Sequence, residues 1–278
     1  MSQDNDRQPQ FEDPPVSEVA ISVSFSPLQN WRAAYSGLYW SQVVDEYPRT
    51  ESHPPIATPK ERYGADFWTS PKPVEIQLMF TAEAEPGRSW FISEDDSRLI
   101  QLQRDRFIVN WRKRANAPSY PRYHEAIRPR FEREWKKFRS FIVEKKLGDL
   151  QVQQCEVTYV NDIEQGKGWD KFADIGKLFA PWRGAIPGGK LPPLQTLKAS
   201  GSFEMPDERG RLHFATQHVR RHTDSKEGIQ IQLIARGDPK SSEDAEIMRW
   251  IDTGHDWIVA GFLELTTLDA QKIWGRKD

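Results

Sequence analysis

The sequence predicts an α+β fold made of two successive units, each reading strand, helix, antiparallel meander and long helix. Three observations carry this. Residues 88–112 hold three short apolar runs, SWFI, RLIQLQ and RFIVNW, separated by Asp/Ser and Arg-Asp punctuation, the pattern of a tight β-meander. Two long stretches, 123–142 and 243–265, place large apolar residues at three- and four-residue steps. The order of elements in residues 16–148 then recurs in residues 149–278, which points to an internal duplication within one globule.

Taken in order, residues 1–15 are polar and proline-punctuated and read as a disordered tail. Residues 18–25 alternate, with Val19, Ile21, Val23 and Phe25 on one face, and predict a half-buried strand. Ser26-Pro27 has the form of an N-cap followed by proline, and Trp31, Tyr35, Leu38 and Val43 continue at helical spacing, so a helix of about five turns is expected up to Tyr47-Pro48. Residues 48–73 carry many prolines and no period; they read as a long loop pinned by Tyr63, Phe67 and Trp68. A strand over 74–80 leads into the meander, whose last run sets Phe107, Val109 and Trp111 toward the following helix. That helix spans the stripe Tyr123, Ile127, Phe131, Trp135, Phe138 and Ile142; Pro129 predicts a kink or late start and Gly148 a C-terminal cap.

The second unit repeats the theme. Residues 150–160 read as a strand, 168–179 as a helix, 196–203, 211–219 and 228–235 as strands, and 243–265 as the closing helix. The element order resembles helix-grip and TBP-like architectures.

Composition narrows the function classes. Over 278 residues, 39 basic and 41 acidic side chains nearly cancel, so no global attraction to nucleic acid or a membrane surface is implied. The single cysteine, Cys155, excludes an internal disulfide, and no run approaches the length of a membrane span; a cytoplasmic protein is expected. Eleven Trp and fourteen Phe imply an aromatic core or interface.

At sequence level the segments EVAISVSFSPL (18–28), RLIQLQRDRFIVNWRK (98–113), YPRY (120–123), CEVTYVN (155–161), GHDWIVAGFLELTT (254–267) and KIWGR (272–276) carry a further likeness. On these the chain resembles a sporadically distributed family of uncharacterised bacterial proteins known by a family number. That resemblance implies no activity, cofactor or catalytic residue; a patchy distribution suits an accessory or defence-type component.

Four candidate sites follow from residue chemistry. GAIPGGK (184–190) has the glycine and lysine spacing of a phosphate loop, but Leu191 replaces the magnesium-binding hydroxyl and Pro192-Pro193 follows where a helix should start, so an ordinary glycine-rich loop is favoured and no cofactor is expected. Asp252, His255 and Asp256 fall within one helical turn and offer a metal or acid–base group for a hydrolase; a structural histidine is the plainer reading, with His213 and His218 on opposite faces of their strand. Cys155 reads as a small buried hydrophobe, and Glu156, Asp162 and Glu164 as solvated turn carboxylates.

The largest deviation is charge. Residues 98–139 hold thirteen Lys/Arg against four acids, interleaved with aromatics, which suits phosphate or stacked-base contacts and makes nucleic-acid binding the alternative function. The plainer reading is a solvated basic face balanced by the acidic 243–256 region. The favoured function is a non-enzymatic binding protein whose sheet-and-helix groove takes an anionic or amphipathic ligand or a protein partner, with Arg98, Arg104, Arg106, Arg112 and Trp111 as candidate binding residues.

Overall fold

The computed structural model of the chain describes residues 9–57, 59–61, 87–114, 119–182, 190–192, 194–206, 210–220 and 226–277. Its first strand is short: β1 (Gln10–Phe11) pairs with β11 (Arg276–Lys277). Residues 9–15, read from composition as part of a tail, are therefore ordered, and residues 1–8 of that tail lie outside the described part. Long-range pairing supplies what local composition lacked. The Glu12 and Asp13 N–H groups donate to the Gly275 and Trp274 carbonyls, and Phe11 meets Phe262 edge-on at 5.8 Å.

β2 (Val16–Phe25) buries Val19, Ile21, Val23 and Phe25, as its alternation requires. The helix after it is shorter than its spacing predicts, α1 (Ala34–Trp40), because the Ser26 and Leu28 N–H groups donate across to the Gln151 and Arg104 carbonyls and hold that stretch out of a helix. β3 (Arg49–His53) forms inside the expected loop and pairs with β4 (Arg88–Ile92). It is a polar edge strand, RTESH, with no apolar alternation to reveal it. Tyr63, Phe67, Trp68 and the strand expected over 74–80 lie outside the described residues.

The meander forms as read, β4 followed by β5 (Arg98–Gln103) and β6 (Arg106–Arg112). A π-helical turn, Tyr123–Ile127, then runs into α2 (Arg128–Glu144), with Pro129 in the first α turn where its missing N–H leaves no bond unmade. The cap is Lys146 in the left-handed region (φ 52°) rather than Gly148; the Leu147 N–H closes back to the Ile142 carbonyl. β7 (Val152–Glu164) follows, then a 3₁₀ turn, Phe172–Lys177, in place of the longer helix expected over 168–179. β8 (Lys198–Glu204), β9 (Arg211–Arg220), β10 (Glu227–Gly237), α3 (Asp244–Leu265) and the short α4 (Leu268–Ile273) complete the chain.

Among the described residues nine strands form one antiparallel sheet in the order β3-β4-β5-β6-β2-β7-β10-β9-β8. The fold is thus α+β, with the strands of the first half on one side and those of the second half on the other, meeting at β2 and β7. α2 and α3 cover one face of this sheet, and the buried apolar residues of both halves form one continuous cluster. Phe107 stacks on Phe138 with centroids 4.7 Å apart, and Val109 and Trp111 are buried on the same face, the register that alternation predicted. No helix among the described residues is long and apolar enough to cross a membrane.

Candidate functional site

The aromatic cluster under α2 leaves no room for a ligand. Phe25, Tyr39, Phe107, Phe131, Trp135, Phe138 and Phe141 are all almost wholly inaccessible, and their rings pack at 4.7 to 6.5 Å. Beside α3 the picture differs. A cavity of about 880 Å³ opens between the inner face of β7 and β10, one side of α3, residues 9–14 and the stretch 119–125. Tyr159 and Asn161 reach it from β7, Leu233 from β10, and His255, Ile258, Val259 and Phe262 from α3 at the i, i+3, i+4, i+7 spacing that gives one helical face.

The 119–125 wall is locally strained. Arg122 holds φ 61° and ψ 145°, outside the regions a side chain ordinarily adopts, and the helix begins at the next residue as a π turn rather than an α turn. π turns recur at functional sites because the wider turn re-aims side chains. Here it lays the Tyr123 ring flat on His255, centroids 3.7 Å apart and planes 5° from parallel. The Tyr123 hydroxyl donates to Asp252 Oδ1 at 2.9 Å, and Arg128 Nε reaches both oxygens of the same carboxylate at 2.9 and 3.1 Å.

A chain of hydroxyls runs along the cavity floor. Tyr120 and Tyr159 oxygens are 3.0 Å apart, and Tyr159 lies 3.0 Å from His255 Nδ1. Burial pushes the Tyr120 phenol up to about 12, opposed by its hydrogen bonds with the Tyr159 hydroxyl and the Tyr123 backbone N–H. Burial also raises Tyr123 and Tyr159, and it lowers His255 to about 3, with His124 adding like-charge repulsion. The imidazole is neutral at physiological pH. The Tyr123 backbone N–H donates to the Tyr120 oxygen, and Tyr120, Tyr159 and His255 Nδ1 form one hydrogen-bonded run. Across the cavity, Asn161 commits its Nδ2 to the Ile231 carbonyl at 3.1 Å, which leaves the amide oxygen as its acceptor.

The fourth wall is held by polar bonds. Arg122 Nη1 donates to Gln10 Oε1 at 2.8 Å, Lys277 pairs with Glu12 at 2.7 Å, and Lys167 with Asp13 at 3.4 Å. Lys113, Glu125 and Asp256 stand at the rim.

The residues singled out by charge divide between the two faces of the sheet. Arg106 lies on the helix-free face, buried, donating to Ser22 Oγ at 2.7 Å and paired with Glu156 at 2.8 Å. Arg112 shares that face and pairs with Asp96 at 2.8 Å, its guanidinium 5.6 Å from the Trp90 ring. Arg98 lies over the Tyr47 ring and 3.8 Å from Glu46. The Arg104 carbonyl accepts from the Leu28 N–H, and Trp111 is buried edge-on to Tyr120 at 5.6 Å. On α2, Arg133 and Lys137 pair with Glu46, Arg139 with Asp244 and Arg128 with Asp252. The basic stretch thus finds counter-charges in the acidic 243–256 region and in Glu46.

Asp252, His255 and Asp256 do not converge: Asp252 turns to Arg128 and Tyr123, while His255 turns to Tyr159. The described residues hold no group of three His, Cys, Asp or Glu able to hold a metal ion. Cys155 is fully buried and its thiol is pushed up by burial, the inert setting read from the strand. The glycine-rich 184–189 stretch lies outside the described residues. Tyr159 and Asn161 were passed over in the sequence; their signal was a polar-tipped residue at each of two consecutive inward positions of β7, where the alternation calls for apolar ones. No family model matches the chain, and no curated protein and no solved structure matches it either.

Proposed function

We propose that the chain is a non-enzymatic binding protein that takes a small amphipathic molecule into the cavity beside α3. The observation that carries this reading is the cavity itself. Its volume of about 880 Å³ falls within the range of small-molecule sites, and its walls are aromatic and aliphatic with a few fixed polar groups. His255 and Asn161 offer polar groups, and the tyrosine rings a flat apolar surface. Charges at the mouth are largely paired off, which favours an amphipathic over a simply anionic ligand.

The same groups argue against proton-transfer catalysis. A general base works best with a pKa near the operating pH, whereas His255 protonates only near pH 3 and the three phenols are held in their protonated form. Fixed protonation states suit recognition. The duplicated unit belongs to this proposal: β2 beside β6-β5-β4 and β7 beside β10-β9-β8 repeat one strand order, which supports the likeness to TBP-like and helix-grip architectures. Cytoplasmic residence is part of it too, supported by a lone, buried, reduced cysteine.

The test is titration of the full chain with anilinonaphthalene sulfonate, an amphipathic aromatic probe. Saturable binding with one site is expected, lost in Val259→Trp, which fills the cavity, while the far-UV spectrum is kept. Absence of saturable binding, or equal binding by the filled variant, would overturn the proposal.

A further inference from the structure

The face of the sheet away from the helices carries an alternating row of charges. Arg106 and Arg236 grip the two oxygens of Glu156 at 2.8 and 2.7 Å, Arg236 and Arg211 approach Glu61 at 3.6 and 3.1 Å, and Arg211 also holds Glu204 at 2.7 Å. His213 Nε2 adds a contact to Glu61 at 2.8 Å. Every member of this row stands on a strand except Glu61, whose carboxylate is nonetheless 5% exposed.

Glu61 arrives on a segment that lies across the sheet as a bound peptide would. Gln103 takes the Ile56 N–H on its amide oxygen and donates its amide to the Ile56 carbonyl, at 3.1 and 3.0 Å. Gln154 does the same one step on, taking the Glu61 N–H and donating to the Pro59 carbonyl, both at 2.9 Å. Two side-chain amides thus reproduce the donor–acceptor pattern of a strand edge. Apolar anchorage is slight: Pro54, Pro55, Ala57, Pro59 and Lys60 are exposed, and Ile56 and Glu61 are half-buried. The prolines fix φ and keep the segment extended. Beyond Glu61 a second cavity, about 810 Å³, continues along Arg211, His213, Arg236, Ser200, Ser202 and Gln232.

We propose that the track from Gln103 and Gln154 to Arg236, His213 and Arg211 is a binding site for an extended peptide segment bearing a carboxylate, occupied here in cis by residues 54–57 and 59–61. Removing the Glu61 carboxylate takes away the acid that Arg211, Arg236 and His213 share. Asp238 stands close enough to feel Glu61, its carboxyl raised by burial and by that neighbour. A tethered segment acts at a local concentration in the millimolar range, which is enough to exclude a competitor of moderate affinity.

The test uses the full chain and a fluorescent peptide with the sequence of residues 53–61, HPPIATPKE, followed by anisotropy. Glu61→Ala is expected to bind it at least ten-fold more tightly than the parent chain. The gain should shrink with added salt and vanish for a peptide ending in Gln in place of Glu. Glu61→Gln, of the same shape, guards against loss of folding in the alanine variant and should show the same gain. The proposal falls if folded Glu61→Ala and Glu61→Gln bind the peptide no better than the parent, or bind the Gln peptide equally well; the row would then be an internal ion-pair network only.

Discussion

α2 and α3 lie on the same face of one sheet, yet they meet it in opposite ways. α2 stands off on large rings, with Phe131, Trp135 and Phe138 filling the space above Phe25 and Phe107. α3 comes close through small residues. A methyl group built on Gly254 would touch Val157 and Ala235 at 3.3 and 3.4 Å, and one on Gly261 would lie 2.5 Å from Leu212 Cδ2. A helix seated that closely over β7, β9 and β10 is not propped up by side chains along its flank, and the space there becomes the cavity roofed by residues 9–14. Large rings fill the space under α2, while the close approach of α3 leaves a cavity beside it.

The sharpest way to break this comparison is to empty the space under α2. Phe138→Ala removes a ring packed against Phe25, Tyr39, Phe107 and Trp135, and should cost about 3–5 kcal/mol in denaturant unfolding. A cost below about 1 kcal/mol would mean that this space is not packed as described. Next in size is the pH response of the cavity wall. The His255 ring stays neutral in the folded chain down to about pH 3, while in the unfolded chain it protonates near 6.5, so the unfolded state binds more protons between those values. The contribution is kept above about pH 6.5 and is lost as pH drops, the slope approaching about 1.4 kcal/mol per unit below about pH 5.5. His255→Gln should flatten that slope in urea titrations, and an unchanged slope would place the proton uptake elsewhere.

Smaller effects sharpen the contrast. Gly261→Ala should destabilise by about 1–2 kcal/mol, because its methyl can be admitted only if the buried Leu212 moves. A neutral result would show α3 to be less closely seated. Val259→Trp, by contrast, grows into empty space and should change stability by less than about 1 kcal/mol while abolishing probe binding. The two variants enlarge positions two residues apart on one helix, and only the second should separate binding from folding.

Periodic elements were legible because periodicity is itself the imprint of a half-buried surface. β2, the meander, α2 and α3 all appear where Val19, Ile21, Val23, the RFIVNW run and the two apolar stripes place them. β3 was not, because an edge strand buries little and RTESH carries no alternation. β1 was not, because two residues hold no pattern and their order comes from a partner more than 260 positions away, Gln10 against Lys277. The site divides along the same line. His255 stood out as a polar residue within an apolar stripe, but its neighbours Tyr120, Tyr123 and Tyr159 come from other elements and meet it only across strained Arg122 and the inner face of β7.

Conversely, the arginines drew attention by their density along the chain. Density along the chain says nothing about which face a residue takes or which acid opposes it; in the folded molecule Arg106, Arg112 and Arg139 are answered by Glu156, Asp96 and Asp244. The sequence by itself determined the α+β class, the positions of the long elements and the inward register of Phe107, Val109 and Trp111, all of which depend on spacing between near neighbours. Only the tertiary structure decided that the space under α2 is filled and that beside α3 is open, that His255 is neutral, and that Glu61 lies in a cradle of strand side chains. Volume, desolvation and charge pairing are sums over atoms brought together from distant positions, and those sums exist only once the chain has folded.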